Sequence, residues 1–258
     1  MYYEEFGNKD KKILVLLHTS FNPYIYDYLI PTLKDDYHIY LPHLIGFGKE
    51  ANKMFTFEEN EKQLLELISS FNKKVYLIGT SLGSQLAFRL LNKNKELFEK
   101  VILVSPFLLK DQLDLTSSIN ANMSLLNNLR NRFLVKIYAR KNNIPENRRK
   151  DFYIESKKVL DETIANMVTD SPSISDYPNY KDVNVNTLLV SFTSQHPQVG
   201  KTIDELLKIN SYNKDIIVPG HMVDLLIKNP NKFKKIIIDY FEEDKIEKEE
   251  INDASNTK

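Results

Sequence analysis

Val75-Tyr76-Leu77-Ile78-Gly79-Thr80-Ser81-Leu82-Gly83-Ser84 is an apolar run that breaks into Gly-x-Ser-x-Gly, and Gln85-Leu86-Ala87-Phe88-Arg89-Leu90-Leu91 then takes up helical spacing. Strand, sharp turn and helix in that order are the reading of a nucleophile elbow. A Cβ at Gly79 or Gly83 would collide with a neighbouring strand or helix where the chain turns so tightly. Ser81 is expected at the tip, its hydroxyl exposed beside a helix N-terminus that favours developing negative charge.

Outward from this stretch the chain alternates strand and helix. Residues 2–6 and 12–17 read as strands joined by a turn at Gly7-Asn8-Lys9-Asp10. The second is continuously apolar, as in a parallel strand covered on both faces. Helical spacing over 26–33, interrupted by Pro31, leads to a strand over 37–41 closed by Pro42. An amphipathic helix over 57–71 precedes the elbow, and 100–104 is the next buried strand. This rhythm implies a mostly parallel twisted sheet flanked by helices, an α/β fold. Residues 107–181 break it: they are helical in pattern, above all over 119–139 and 148–168, and read as an inserted cap over one edge of the sheet. The sheet resumes with strands over 186–192 and 215–218, with a helix near 203–209 between them, and closes with a helix over 223–241. Residues 242–258 are charged, poor in apolar residues and expected to be a flexible tail. The expected division is a core of 1–106 and 182–241, a helical cap of 107–181 and a tail of 242–258.

Bulk properties narrow the function. An apolar fraction of 42% supports a substantial core, and 35 basic against 35 acidic residues leave no net field to attract nucleic acid or an anionic membrane. With no cysteine there is no disulfide, thiolate metal site or cysteine nucleophile. No apolar run reaches the length of a membrane span, so no membrane insertion is expected. The first six residues lack the basic and apolar regions of a signal peptide, so a cytoplasmic location is expected. Neither His-Glu-x-x-His nor a phosphate-binding glycine loop occurs, so no metal and no organic cofactor are expected.

Three segments resemble the α/β-hydrolase superfamily, in its branch of small capped hydrolases. Leu14-Val15-Leu16-Leu17-His18 is similar to the strand leading into the family's oxyanion loop, Gly79-Thr80-Ser81-Leu82-Gly83 to its elbow, and Val218-Pro219-Gly220-His221-Met222 to its histidine loop. The resemblance implies an α/β-hydrolase fold with Ser81 as nucleophile and His221 as general base, since a serine hydroxyl needs an adjacent base to attack at neutral pH. It also implies an oxyanion hole made by the backbone N–H of Leu82 and a second N–H from Ser20 or Phe21. His18 is expected to brace that loop. Two departures stand out. Thr19 occupies a position that is usually glycine, which suggests a differently shaped loop. His43 and Lys49 stand where the family commonly has Asp and Ser, and His43 is expected to be a surface histidine.

The third triad member has no obvious candidate. The family's acid usually follows the strand matched by residues 187–190, where this chain has Ser191-Phe192-Thr193-Ser194-Gln195-His196-Pro197. Gln195 or His196 takes the place, depending on a one-residue shift. Some members place the acid after the strand that ends here at Val104, and the equivalent residue is Ser105. Asp111 comes first among displaced acids, followed by Asp114. Asp182 lies at the wrong end of its strand, and Asp224 reads as a surface or helix N-terminal charge.

The leading functional expectation is a serine hydrolase, carboxylesterase-like, acting on a small ester, thioester or related acyl compound. Cap residues rich in Leu, Ile, Phe and Tyr are expected to wall an apolar pocket. A hydrolase-fold protein that binds a small molecule without turning it over is the alternative, supported by the missing acid, Thr19 and His43. A cofactor-independent lyase or acyltransferase would keep the same serine and histidine.

Overall fold

The computed structural model describes residues 1–110 and 114–255. Among them, β1 (Tyr3–Phe6), β2 (Lys12–Leu17), β3 (Tyr37–Pro42), β4 (Val75–Thr80), β5 (Phe98–Val104), β6 (Thr187–Phe192) and β7 (Asn213–Val218) form one sheet in the order β1-β3-β2-β4-β5-β6-β7. All neighbours are parallel except β1 and β3. Although β1 and β2 are consecutive, β3 lies between them, so the turn after Phe6 does not close a hairpin. The sheet is otherwise the mostly parallel one expected from the alternation of elements. Its outer strand β1 carries Glu4 and Glu5, a charged edge that discourages pairing with another chain.

Alternate residues of the central strands supply two cores, because successive side chains point to opposite faces. Leu14, Leu16, Ile78, Ile102 and Val190 pack with Ile30 and Leu33 of α1 (Ile30–Leu33) and Phe233 and Ile237 of α9 (Pro230–Ser255). Val15, Leu17, Leu77, Leu103 and Leu189 pack on the other face. There they meet α2 (Phe57–Ser70), α3 (Leu82–Lys93) and α8 (Pro197–Ile209) through Leu64, Phe88 and Ile203.

The segment between β5 and β6 holds α4 (Leu115–Arg130), α5 (Leu134–Lys141), α6 (Arg149–Ser156) and α7 (Asp161–Thr169). Leu126, Val135, Phe152 and Ile164 belong to the same apolar cluster as the α3 face, so these helices share a core with the sheet. They seat on the chain beyond β3: Thr163 Oγ1 accepts from Phe55 N–H at 3.2 Å, and Asn166 Nδ2 donates to Phe55 O at 2.9 Å.

Several helix limits differ from the sequence pattern for local reasons. The run over 119–139 is broken at Asn131, whose Oδ1 accepts from the N–H groups of Phe133 and Leu134 and starts α5 afresh. The run over 148–168 is broken between Ser156 and Asp161, where Leu160 is extended and Arg130 takes the Val159 carbonyl. Residues 26–33 form only the short α1, since Pro31 has no N–H and fits only the first turn. Asp224–Lys228 is a π-helical turn, after which Pro230 opens α9. Rather than ending at residue 241, α9 continues to Ser255 through a sequence rich in Glu and Lys, both good helix formers.

Candidate active site

Ser81 stands between β4 and α3 with φ 54° and ψ −110°, a conformation costing a non-glycine residue about 1–3 kcal/mol. The surroundings over-determine it. Ser81 N–H donates to Val104 O at 2.9 Å, tying the turn to β5. The buried Ser84 Oγ lies 2.7 Å from both Gly79 O and Val104 O. Thr80 Oγ1 bonds the Tyr26 hydroxyl, which also donates to Leu17 O at 3.2 Å. α3 approaches β2 so closely that a Cβ at Gly83 would lie 2.1 Å from Leu17 O. Leu82 is the first residue of α3, in the turn whose N–H groups have no intrahelical acceptor.

Two adjoining hollows of about 320 and 420 Å³ meet at Ser81, sharing it with Phe107 and His196. Ser20 and Leu82 line the first, beside Ser81. Phe21 does not line it; its ring turns into the core against Phe47, with centroids 5.9 Å apart. His221 lines the second hollow and is exposed, on the loop after β7. That loop is fastened to the one after β6, with Ser194 N–H donating to Gly220 O at 3.0 Å and Gly220 N–H to Thr193 Oγ1 at 2.9 Å. Among the described residues, neither Ser81 Oγ nor the His221 ring has a hydrogen-bond partner, so both are free to engage a bound molecule.

His18 is fully buried and braces the loop after β2. Its Nε2 accepts from Leu44 N–H at 3.0 Å, so Nδ1 carries the proton and donates to Thr19 O at 2.6 Å. Burial, with His43 nearby, pulls it down to about 3 and keeps it neutral. Thr19 has no positive φ, so the loop suits a β-branched residue there. His43, expected at the surface, is instead fully buried. Its Nδ1 accepts from Lys49 N–H at 3.0 Å and its Nε2–H donates to Glu4 Oε1 at 3.1 Å.

Around His43 a polar network ties β1 and the loop after β3 to α6. Arg148 bridges Glu4 at 2.6 Å and Asp27 at 2.8 Å, while Lys49 reaches Asp151 at 2.7 Å and Glu155 at 3.0 Å. Burial raises Glu4, but hydrogen bonds from His43 and Arg148 outweigh it and hold the carboxyl at about 2. For Asp27 burial wins over Arg148, and its carboxyl is raised. Removing Arg148 strands two partly buried carboxylates, so Arg148→Ala should lower stability by about 3 kcal/mol, read by urea unfolding. The Glu4 contribution is present above pH 4.5 and is lost as pH falls toward 2, opposed by the smaller, opposite Asp27 effect. Arg148→Ala should flatten that acid limb of the stability profile.

No described residue lining either hollow is a carboxylate. Gln195 lines the second, and its Oε1 accepts from Phe192 N–H at 2.9 Å. His196 borders both hollows and caps α8, its Nδ1 accepting from Gln198 N–H at 3.3 Å. Ser105, with φ 49°, lines the second hollow. Asp111 lies outside the described residues. Asp114 caps α4, accepting from Ser117 N–H at 3.1 Å. Asp182 ends the 3₁₀ segment before β6, at the far end of that strand. Asp224 accepts from His221 N–H at 2.8 Å through Oδ2 and pairs with Lys228 at 2.8 Å through Oδ1. Lys228, then that backbone bond, holds its carboxyl below the usual range.

The expected cap supplies both apolar and polar walls, with Phe107 at its start lining both hollows. Helices α4 and α7 and the segment after them contribute Ser118, Asn122, Met167, Val168 and Ser171. The core adds apolar wall to the second hollow through Phe192 at the end of β6, Val199 of α8, and Met222 and Val223 after β7. Gln85, one helical turn beyond Ser81, also faces the first hollow. It was missed as a site residue; its signal was a single amide in an otherwise apolar turn of α3.

Residues 12–251 match the family model described as alpha/beta hydrolase fold. A curated relative, the uncharacterized hydrolase YugF of Bacillus subtilis (strain 168), is 28% identical over 109 residues, 40% of each chain. The chain thus matches about 40% of that relative's length. MenH from S. aureus superposes with a TM-score of 0.70 at 15% identity, covering 94% of this chain and 98% of that one. The esterase EaEST from Exiguobacterium antarcticum gives 0.70 at 15% identity, covering 93% and 95%. At such identities the likeness is one of fold. The family model takes in the elbow, the strand before the oxyanion loop and the histidine loop alike, and the chain belongs to the alpha/beta hydrolase fold family.

Proposed function

We propose that the protein is a serine hydrolase of small esters, thioesters or related acyl compounds. The observation that carries this is the left-handed backbone of Ser81 at the start of α3, in a cleft that His221 also lines. A strained non-glycine residue is retained where its side chain has a task that glycine cannot perform. In this reading Ser81 Oγ attacks the acyl carbon while His221 takes its proton. The oxyanion is received by Leu82 N–H and a second backbone N–H from the loop holding Ser20. His221 then passes the proton to the leaving group, and water repeats the sequence on the acyl-enzyme. A fluorophosphonate probe should label the folded protein at Ser81, located by peptide mass mapping, and should not label Ser81→Ala. Folded wild-type protein that stays unlabelled would sink the proposal.

One observation favours a second reading, binding without turnover: no carboxylate lines the cleft beside His221 among the described residues. The nearby carboxylate of Asp224 bonds the His221 backbone N–H and Lys228, not the ring, and the amide substitution of a triad acid costs about 10⁴ in turnover. A ligand that raises the melting temperature and is recovered unchanged would favour this reading.

A further inference from the structure

Charge balances over the chain at 35 of each sign, but it is not spread evenly. Residues 130–158, from the end of α4 to just beyond α6, hold ten Lys or Arg against three Asp or Glu. Two of those acids, Asp151 and Glu155, are engaged by Lys49. Arg130 pairs with Asp161, and Arg148 with Glu4 and Asp27. The remaining cations of the segment have no carboxylate partner among the described residues, so this face carries a local positive field.

The same face exposes apolar side chains. Val135 and Ala139 turn α5 into the core, and at about 100° per residue the opposite side of the helix carries Phe133 and Ile137. Phe133 is 70% exposed and Ile137 50%. Lys136 and Arg140 flank that pair, and Lys141 continues its row one turn on. In α6, Phe152, Glu155 and Ser156 are buried, which leaves Lys150 and Ile154 outward. The two helices pack through the stacked rings of Tyr138 and Phe152, centroids 5.9 Å apart, so their outer faces adjoin. Between them lies a hollow of about 310 Å³ lined by Lys136, Arg140, Arg149 and Lys150 together with Val135 and Ala139. No described carboxylate lines it.

This combination selects its occupant. A second copy of the chain would bring like charges face to face. A nucleic acid would satisfy the cations, but Leu134, Ile137 and Ile154 are aliphatic and offer no ring on which a base can stack. An anionic bilayer surface satisfies both sets of groups: phosphates meet the cations, and the boundary between headgroups and acyl chains takes the apolar side chains. The long Lys and Arg stems can lie along that boundary while their heads reach the phosphates. We propose that the α5–α6 face docks on an anionic phospholipid surface, with Phe133 and Ile137 entering the headgroup layer and the hollow between the helices receiving a lipid phosphate. The contact is peripheral; no described helix is long and apolar enough to cross a membrane. It stands independently of the reading of Ser81.

The test is flotation of the full chain with vesicles of phosphatidylcholine alone and of phosphatidylcholine and phosphatidylglycerol at two to one. The wild-type protein should float with the mixed vesicles only, and high salt should release it. Lys136→Gln and Arg140→Gln should each weaken that binding about 5-fold, and about 30-fold together. Phe133→Ser combined with Ile137→Ser should weaken it about 10-fold or more. All four side chains are exposed, so Tm should not move. The chain contains no tryptophan, so Phe133→Trp gives a direct probe: its emission should shift to the blue on mixed vesicles. Equal binding to both vesicle types, binding to neither, or mixed-vesicle binding without that blue shift would overturn the proposal. A single-stranded oligonucleotide that binds more tightly than the mixed vesicles would assign the face to nucleic acid, and a dimer abolished by Phe133→Ser would assign it to a second copy. Either result would overturn the proposal as well.

Discussion

Ser81→Ala is expected to lower turnover of an activated ester by about 10⁴-fold or more, and His221→Ala to match it, with the double variant no worse than either. The equality follows from the proposed division of labour, because the nucleophile and its base act as one unit and removing either removes the unit. The structure makes the experiment clean. Among the described residues neither the Ser81 hydroxyl nor the His221 ring has a hydrogen-bond partner, and His221 is exposed, so truncation creates no cavity and strands no buried group. A folding control comes from the backbone. At φ 54° an alanine is strained as the serine is, whereas Ser81→Gly should relieve about 1 kcal/mol and raise Tm by about 2 °C. Loss of activity with unchanged or raised Tm supports a catalytic serine. Hydrolysis that survives Ser81→Ala would assign turnover to another group and favour the binding reading for this cleft.

What the sequence made legible is what local geometry constrains tightly. A strand that must turn into a helix under a neighbouring strand leaves few residue types for Gly79 and Gly83, so the elbow announced itself. The Pro219-Gly220-His221 turn did the same. Partners supplied from far along the chain were hidden. His43 reads as a surface residue until Glu4, 39 positions away on β1, takes its Nε2–H. The placement of β3 between β1 and β2 is a non-local pairing that neither strand's own pattern encodes. Asn131 splits a continuous helical pattern because its side chain competes for backbone N–H groups, an effect periodicity does not register. Gln85 is a single amide in the helical run over 85–91, and only the chain packed over it turns that position into the wall of a hollow. The acid position was legible as an absence. Gln195 and His196 stand near it, both occupied in shaping their own loop, and no described carboxylate replaces them in the cleft.

Gly83→Val is expected to cost about 4 kcal/mol or more, enough to leave little folded protein, and whatever folds should be neither labelled at Ser81 nor active. A Cβ there would lie 2.1 Å from Leu17 O, 2.5 Å from Leu17 C and 2.9 Å from His18 O. All of these are backbone atoms of a central strand and its exit, which cannot swing aside as a side-chain tip can. The helix would have to lift from β2, moving Leu82 N–H away from the loop that carries Ser20. Stability and oxyanion geometry should therefore fail together. Gly200→Ala is the matched control. A Cβ at Gly200 meets nothing within 4 Å, and the residue lies inside α8, where alanine is the better helix former by about 1 kcal/mol. Gly200→Ala should raise the urea midpoint and leave labelling of Ser81 unchanged. A Gly83→Val protein that melts within a few degrees of wild type would show that α3 can move off β2 at little cost, and the tight seat assigned to the elbow would be wrong.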